Sequence, residues 1–401
     1  METEHGKAGT VAAGREETAK EEELTLYLQL KTCIWGINVF QSPVRQSQTN
    51  TDDVVTPKVV CDVDIHDGGR FPPDMAAFQL DSKIYLVGGG GPNSGAYVYE
   101  LCPQTSQLQI PTAIPHRLKS PKVNPIAENI AGKIHVLDRD LQSPPSCHEV
   151  LEFSVDSKTW NWNSLPPPPL PPNSTIPLYF VLAHKLFVQR VGGHEESAAA
   201  YFFFDTISNS WIPNREPLVR SPPSPSSAAT DDFQLMGGRT LRNCPGFDAI
   251  KGKNGNPLHV FVAYQGDFDV IGENKYVGAF LVDGGGGEGR VVAYQSLETA
   301  LFGESSDSGG DFYPEEYPYG VVDLGDGVIS SVIAGYRDDE RDVVLVCVLR
   351  LSKKPSFEWT GRASWALEEE FLDVEVLDRR VYGLDGLEES LRSPVCSAFL
   401  L

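Results

Sequence analysis

No apolar run in this chain approaches the roughly 18 uninterrupted residues that a membrane-crossing helix needs. The first stretch, METEHGKAGTVAAGREETAKEEE, is polar and acidic and lacks the apolar core of a secretory leader, so no leader is expected. Paired cysteines are missing too. Seven stand singly (Cys33, Cys61, Cys102, Cys147, Cys244, Cys347, Cys396), without a C-x-x-C, and most lie in or beside apolar strand runs. That pattern points to reduced, buried thiols in a cytoplasmic or nuclear protein. Positive charge is scarce: 33 Lys and Arg against 55 Asp and Glu leave a net charge of −22. A general nucleic-acid binder needs a positive field, and so does a protein held on an anionic membrane, which argues against both partners.

Signatures of chemistry are equally thin. The glycine runs are followed by no Lys-Ser/Thr, so they do not read as a phosphate loop. None of the eight histidines has a partner at H-x-x-x-H spacing, and no Ser elbow is present. His135 and His259 fall in strand-like runs and read as hydrogen-bonded parts of the fold. No catalytic residue, metal site or cofactor is expected.

What the chain does have is turn formers and short apolar runs: 37 Gly, 30 Pro and 41% hydrophobic residues, a composition of many strands and few helices. Residues 1–22 have almost no large apolar side chains and are expected to be disordered. Strand-like runs follow at 24–31, 35–41 and 58–65. From residue 75 a unit of about 51 residues repeats: strand, tight turn, strand, glycines, strand, tight turn, strand. Ile84, Ile134 and Leu186 mark its second strand at spacings of 50 and 52, while Leu101, Phe153 and Phe204 mark the third at 52 and 51. Seven residues after each third-strand marker comes a large apolar residue: Leu108, Trp160, Trp211. The period loosens beyond 217, but strand rhythm continues, and residues 371–386 align with the opening of the first unit.

Five four-stranded units and a sixth that starts at the C-terminus are counted, and the orphan N-terminal strands supply what the sixth lacks. An open ring would leave two unpaired sheet edges. The expected fold is therefore all-β, a six-bladed β-propeller closed by N- and C-terminal strands sharing one blade. A single propeller domain over 23–401 is expected, with blades near 75–118, 122–170, 175–217, 225–300, 315–366, and 367–401 plus 23–66. The double glycines then read as places of close backbone approach, and Trp160, Trp211 and Trp359 as packing between blades.

Gly88-Gly89, and in the third unit Gly192-Gly193 with Phe204 and Trp211, make the repeats resemble kelch motifs. The second unit keeps Phe153 and Trp160 but has Asp138-Arg139 in place of the glycines, and the first has Leu108 in place of Trp. The chain is similar to kelch-repeat proteins of plants, many of which carry an F-box, although the N-terminal residues show no F-box pattern. The resemblance implies a protein-binding propeller.

Connections between second and third strands, and between blades, are the long ones, and in an up-and-down blade both emerge on the same face. Binding is expected there. The early units place Arg117, Lys119, Lys122, Arg139 and Arg190 on that face, whereas residues 291–336 hold eight acids and no Lys or Arg, including Asp323 and Asp326. A rim divided in charge would steer a complementary partner. The residues expected to touch a protein partner are Arg117, Lys119, Arg139, Arg190, His194 and Phe268. The function expected is an adaptor or scaffold acting as a monomer. The alternative is an enzyme, such as a metal-assisted lyase or hydrolase, using the central pocket.

Overall fold

A computed structural model of the protein describes residues 23–29, 33–40, 58–62, 75–89, 95–102, 105, 107–141, 148–171, 174–176, 178–182, 184–190, 200–214, 234–241, 247, 251, 255, 258–266, 276–283, 290–303, 313–336, 342–358, 370–383 and 397–400. The acidic tail at 1–22, the glycines at 192 and 193, and Trp359 lie outside the described residues. Within them the chain is all-β apart from one short helix, and its antiparallel sheets take a β-propeller arrangement.

The chain opens with β1 (Glu23–Gln29), β2 (Cys33–Phe40) and β3 (Lys58–Asp62). Blade one is β4 (Ala76–Leu80), β5 (Lys83–Val87), β6 (Val98–Cys102) and β7 (Gln107–Gln109). Blade two begins with β8 (Pro125–Ile130) and β9 (Lys133–Asp138), passes through the short β10 (Asp140–Leu141), and ends with β11 (His148–Ser154) and β12 (Thr159–Leu165). A linker strand β13 (Ser174–Thr175) leads to blade three, β14 (Leu178–Leu182), β15 (Lys185–Arg190), β16 (Ala200–Asp205) and β17 (Ser210–Asn214). Blade four is β18 (Gln234–Leu241), β19 (Leu258–Gly266), β20 (Tyr276–Asp283) and β21 (Arg290–Ser296), followed by α1 (Glu298–Phe302). Blade five is β22 (Tyr313–Gly325), β23 (Val328–Tyr336), β24 (Asp342–Lys353) and β25 (Leu372–Gly383). The last strand, β26 (Ser397–Leu400), pairs with β1 from Leu26↔Leu400 to Gln29↔Ser397, giving a composite sheet in the order β26-β1-β2-β3. Five blades thus come from neighbouring stretches of chain, and one further sheet joins its two ends.

Local chemistry explains the blades. The turns between first and second strands at Asp81-Ser82, Ala131-Gly132 and Asp326-Gly327 have positive φ at both positions. That is the two-residue turn whose twist matches paired strands. The turns between third and fourth strands end on a left-handed residue, Lys158 in blade two and Asn209 in blade three, one repeat apart. The repeat markers face each other across those turns: Leu101↔Leu108, Phe153↔Trp160 and Phe204↔Trp211 are direct cross-strand partners. A turn of fixed length keeps them seven residues apart, and that is why the spacing survives in the sequence.

Second strands are buried on both faces, because each sheet is covered by a neighbour on each side. In β5 everything after Lys83 is buried, whereas the outer β12 is exposed or partly covered everywhere except at Trp162. The apolar clusters lie between sheets. Tyr85, Val87 and Val98 of blade one meet Ile134, Val136, Leu151 and Trp162 of blade two. Ile126, Ile130 and Leu137 of blade two meet Leu186, Val188 and Phe204 of blade three. The composite sheet packs Leu26, Leu28 and Trp35 against Val332, Val344 and Val346 of blade five, and Tyr27 and Ile34 against Ile84 and Leu86 of blade one.

One boundary differs from expectation. Residues 371–383 do not open a last unit. Leu372–Gly383 is instead the outer strand of blade five, paired with β24 from Lys353↔Leu372 to Val343↔Gly383. Asp378-Arg379, which resembles a tight turn in the sequence, lies within that ladder, with a bulge opposite at Val348/Leu349. The twelve-residue β24 needs an outer partner of equal length, and the one-sided burial of β25 is that of an edge strand.

Candidate functional site

The long connections come together where blades one and two meet. In blade one the connection from β5 to β6 pairs with the linker to blade two: Tyr97 bridges Arg117, Val98 N donates to His116 O at 2.9 Å, and Leu118 N donates to Ala96 O at 2.8 Å. In blade two β10 pairs with β13 by the same logic, Asp140↔Thr175 and Leu141↔Ser174. The second-to-third and inter-blade connections therefore share one face in both blades, as their lengths imply. Each linker is also anchored from behind. Trp162 Nε1 donates to Pro115 O at 3.1 Å, and Trp211 Nε1 donates to Pro166 O at 2.8 Å, so each indole of an outer strand holds the linker that precedes its blade. Trp162, not Trp160, performs this role in blade two.

The centre of the seam is a buried carboxylate. Glu149 Oε1 lies 2.7 Å from Lys122 Nζ, and both side chains are fully buried at 0% exposure. Oε1 also accepts from Ser120 N and Ser120 Oγ, each at 3.0 Å, and Oε2 accepts from Lys119 N at 2.9 Å. Lys122 Nζ donates further to Ser120 O at 3.1 Å and lies 2.6 Å from Ser120 Oγ. A buried ion pair survives when its remaining donors and acceptors are satisfied, and these are. The backbone of Lys122 is held as tightly, since Gly89 N donates to its carbonyl at 3.1 Å and its own N–H donates to Gly95 O at 2.8 Å. A Cβ on Gly95 would stand 2.6 Å from Lys122 O, so this glycine is needed for the close approach. Gly88, Gly89 and Gly95 of the first unit thus all meet the neighbouring linker at Lys122.

The expected partner-binding residues separate on this frame. Arg117 and Lys119 are exposed on the pinned linker, with the Arg117 guanidinium 5.6 Å from the Tyr97 ring centre. Arg139 is half-buried on the second-to-third connection of blade two, 5.4 Å from the ring centre of Tyr179, with its Nε buried and without a hydrogen-bond partner. Lys122, expected on the same face, is instead consumed by Glu149. Arg190 ends β15 opposite Ala200, and its side chain lies outside the described residues, as do His194 and Phe268. One acid expected on this face stands elsewhere. Asp326 sits in the β22–β23 turn, at the blade end opposite the long connections, because strand direction alternates within a blade. Glu298 begins α1 on a connection between blades, and burial raises its carboxyl above the usual range. Among the described residues no three His, Cys, Asp or Glu side chains gather as a metal site.

Behind the seam lies a pair that the sequence did not announce. His135 Nδ1 is 3.1 Å from His148 Nε2, and both rings pack on Phe204. The outward nitrogens, His135 Nε2 and His148 Nδ1, are buried without partners. Burial, and then nearby Lys133, depress His135 from 6.5 to about 4 against the pull of Glu152. His148 is lowered well below 6.5 by burial, with His135 and Lys122 adding to the effect. Glu149 and His148 could have been suspected: they open β11, an inner strand whose first four positions are all buried, and adjacent positions of a strand covered on both faces call for apolar residues.

Residues 40–216, which include blades one to three where the repeat is most regular, match a family described as a protein of unknown function, DUF1668. No curated protein matches the chain. Among solved structures it is similar to YjhT, at 12% identity over 88% of this chain and 94% of that one with a TM-score of 0.38. It is also similar to the periplasmic gluconolactonase PpgL of Pseudomonas aeruginosa, at 12% identity over 90% and 99% with a TM-score of 0.32. An ulvan lyase matches at 13% identity over 71% and 69% with a TM-score of 0.33. At such scores none of these likenesses bears on what this chain does.

Two outcomes are expected. Lys122→Met leaves the Glu149 carboxylate buried without its counter-charge and should lower stability by about 3–5 kcal/mol in urea denaturation. The histidine pair should make the protein acid-sensitive. Both rings stay neutral in the folded chain while their unfolded counterparts bind protons below about 6.5, so this contribution is intact above that pH and is lost as pH falls towards 4. The loss for one such ring is about 1.4 kcal/mol per pH unit. Thermal melts from pH 7 to 4.5 should show a steeper decline for the native chain than for His135→Gln.

Proposed function

We propose that this protein is a protein-interaction module, an adaptor or scaffold, that grips its partner with the long-connection face of the propeller. The observation that carries this reading is the pinned linker at the seam of blades one and two. Arg117 and Lys119 stand exposed on a backbone whose conformation is fixed by Tyr97, by Leu118 in the core, and by the Glu149 carboxylate. Loops already ordered lose little entropy on binding, which favours recognition by a fixed surface. The stacking of Arg117 on Tyr97 limits the freedom of the guanidinium in the same way. A protein partner bearing acidic groups would find complementary charge here, although the chain as a whole carries −22.

The scaffold for this role is read as a kelch-type propeller in which the composite sheet counts as a sixth blade and closes the ring. Supporting this are the cross-strand Phe153–Trp160 and Phe204–Trp211 pairs and the position of β26, which lies beside both β22 and β4. Closure of this kind removes two sheet edges at once. Deleting residues 396–401 should then strip the edge of β1, where Leu26 and Leu28 are fully buried, and lower the melting temperature by several degrees. An unchanged melting temperature would count against closure.

The interaction reading is tested by quantitative affinity capture from the source cells, comparing the native chain with Arg117→Glu/Lys119→Glu. Both side chains are exposed, so the variant should fold normally, and partners that use this face should fall at least tenfold. A partner set identical for the two chains would remove the reading.

A further inference from the structure

We infer that Ser120 is a phosphorylation site, and that a phosphate there unlatches the linker from Glu149 and withdraws Arg117 and Lys119 from the face. The hydroxyl lies in the segment His116-Arg117-Leu118-Lys119-Ser120-Pro121-Lys122. A serine followed by proline, with cations on both sides, is the chemistry that a proline-directed protein kinase accepts. Pro121 brings no backbone N–H to leave unpaired in the kinase cleft. The whole stretch 101–127 is free of Asp and Glu in a chain of net charge −22. Ser120 is partly exposed and Pro121 is exposed, on a linker at the surface.

In the transfer, Ser120 Oγ bonds to the γ-phosphorus of ATP, the bond from that phosphorus to the bridging oxygen breaks, and ADP leaves. The hydroxyl proton passes to a base of the kinase, and no redox partner is involved.

The consequence follows from the clasp. Ser120 Oγ is 3.0 Å from Glu149 Oε1, and its backbone N–H donates to the same oxygen. Phosphorylation removes a hydroxyl donor and places roughly 1.5 to 2 negative charges beside a carboxylate that is shut off from water. Lys122, the only cation in the clasp, neutralises Glu149 alone, so the site would go from balanced to strongly negative. Glu149 cannot retreat, since β11 is paired on both sides, with β9 and β12. The linker can, because it has solvent on its outer side. Leu118 and the Tyr97–Arg117 bridge would be pulled with it, and the two exposed cations would lose their fixed positions. Release of the linker does not depend on the interaction-module reading; only its effect on partner binding rests on that reading.

The test incubates the folded full-length chain with a purified mitogen-activated, proline-directed kinase and Mg-ATP, then maps phosphate by tandem mass spectrometry and amide exchange over 114–124. Ser120 should be occupied in the native chain, and Ser120→Ala should take up none in this segment. The amides of Leu118, Lys119, Ser120 and Lys122 should exchange at least tenfold faster after phosphorylation, with β9 unchanged. Glu149→Gln should be phosphorylated several-fold faster, because the latch that shields the serine is weaker. Phosphate reaching Ser120 only after thermal unfolding overturns the proposal, and so does full occupancy with unaltered exchange at 118–122. If the linker is released yet partner capture is unchanged, the phosphorylation site stands and the role of this face in binding falls.

Discussion

Among the described residues each four-stranded sheet is apolar on both faces, and no sheet can cover itself. Every blade must therefore be sealed by the next, and the connection between them has to cross the seam on its way. The hydrophobic clusters follow this rule: each draws on two successive sheets, as Val87 and Val98 meet Val136 and Leu151. Burying such surfaces is the dominant favourable term in folding. The linkers over the seams seat a few apolar side chains in the core, Ile114, Leu118 and Ile176 among them, and polar contacts fix their backbones in register. Trp162 and Trp211 do this with indole N–H groups aimed at Pro115 and Pro166, one repeat apart. At the first seam Glu149 adds a charged version of the same device.

Much of the architecture was legible because its markers are local. Phe204 and Trp211 lie on either side of a short turn, so their separation in sequence is set by hairpin geometry and repeats with it. The double glycine of the first unit was legible as close approach, and Gly88, where a Cβ would stand 2.6 Å from Pro125 and 3.1 Å from Lys122 O, shows what is approached. What stayed hidden depends on contacts between distant segments. Glu149 and Lys122 are 27 residues apart on different elements, and nothing in either neighbourhood names the other. In blade five the strands run to twelve and thirteen residues, so the fixed period fails, and Asp378-Arg379 imitates a turn inside a continuous strand. Asp326 falls at the far end of its blade, and composition alone does not say at which end of a blade a turn lies.

The buried pair at the seam raises a physical question of its own. Replacing such a pair with apolar side chains often leaves a protein equally stable, so stability is a poor reason for its presence. Position is a better one. An apolar contact would let the linker slide across the face by an ångström or more at little cost. The Glu149 carboxylate takes two backbone N–H groups, a hydroxyl and an ammonium, and satisfies all of them in one placement of residues 119–122. That placement determines where Arg117 and Lys119 stand. An anchor built from charge is also one that charge can undo. The same contacts that hold the linker in register make it responsive to a single added anion at Ser120, whereas a purely apolar seam would be indifferent to one.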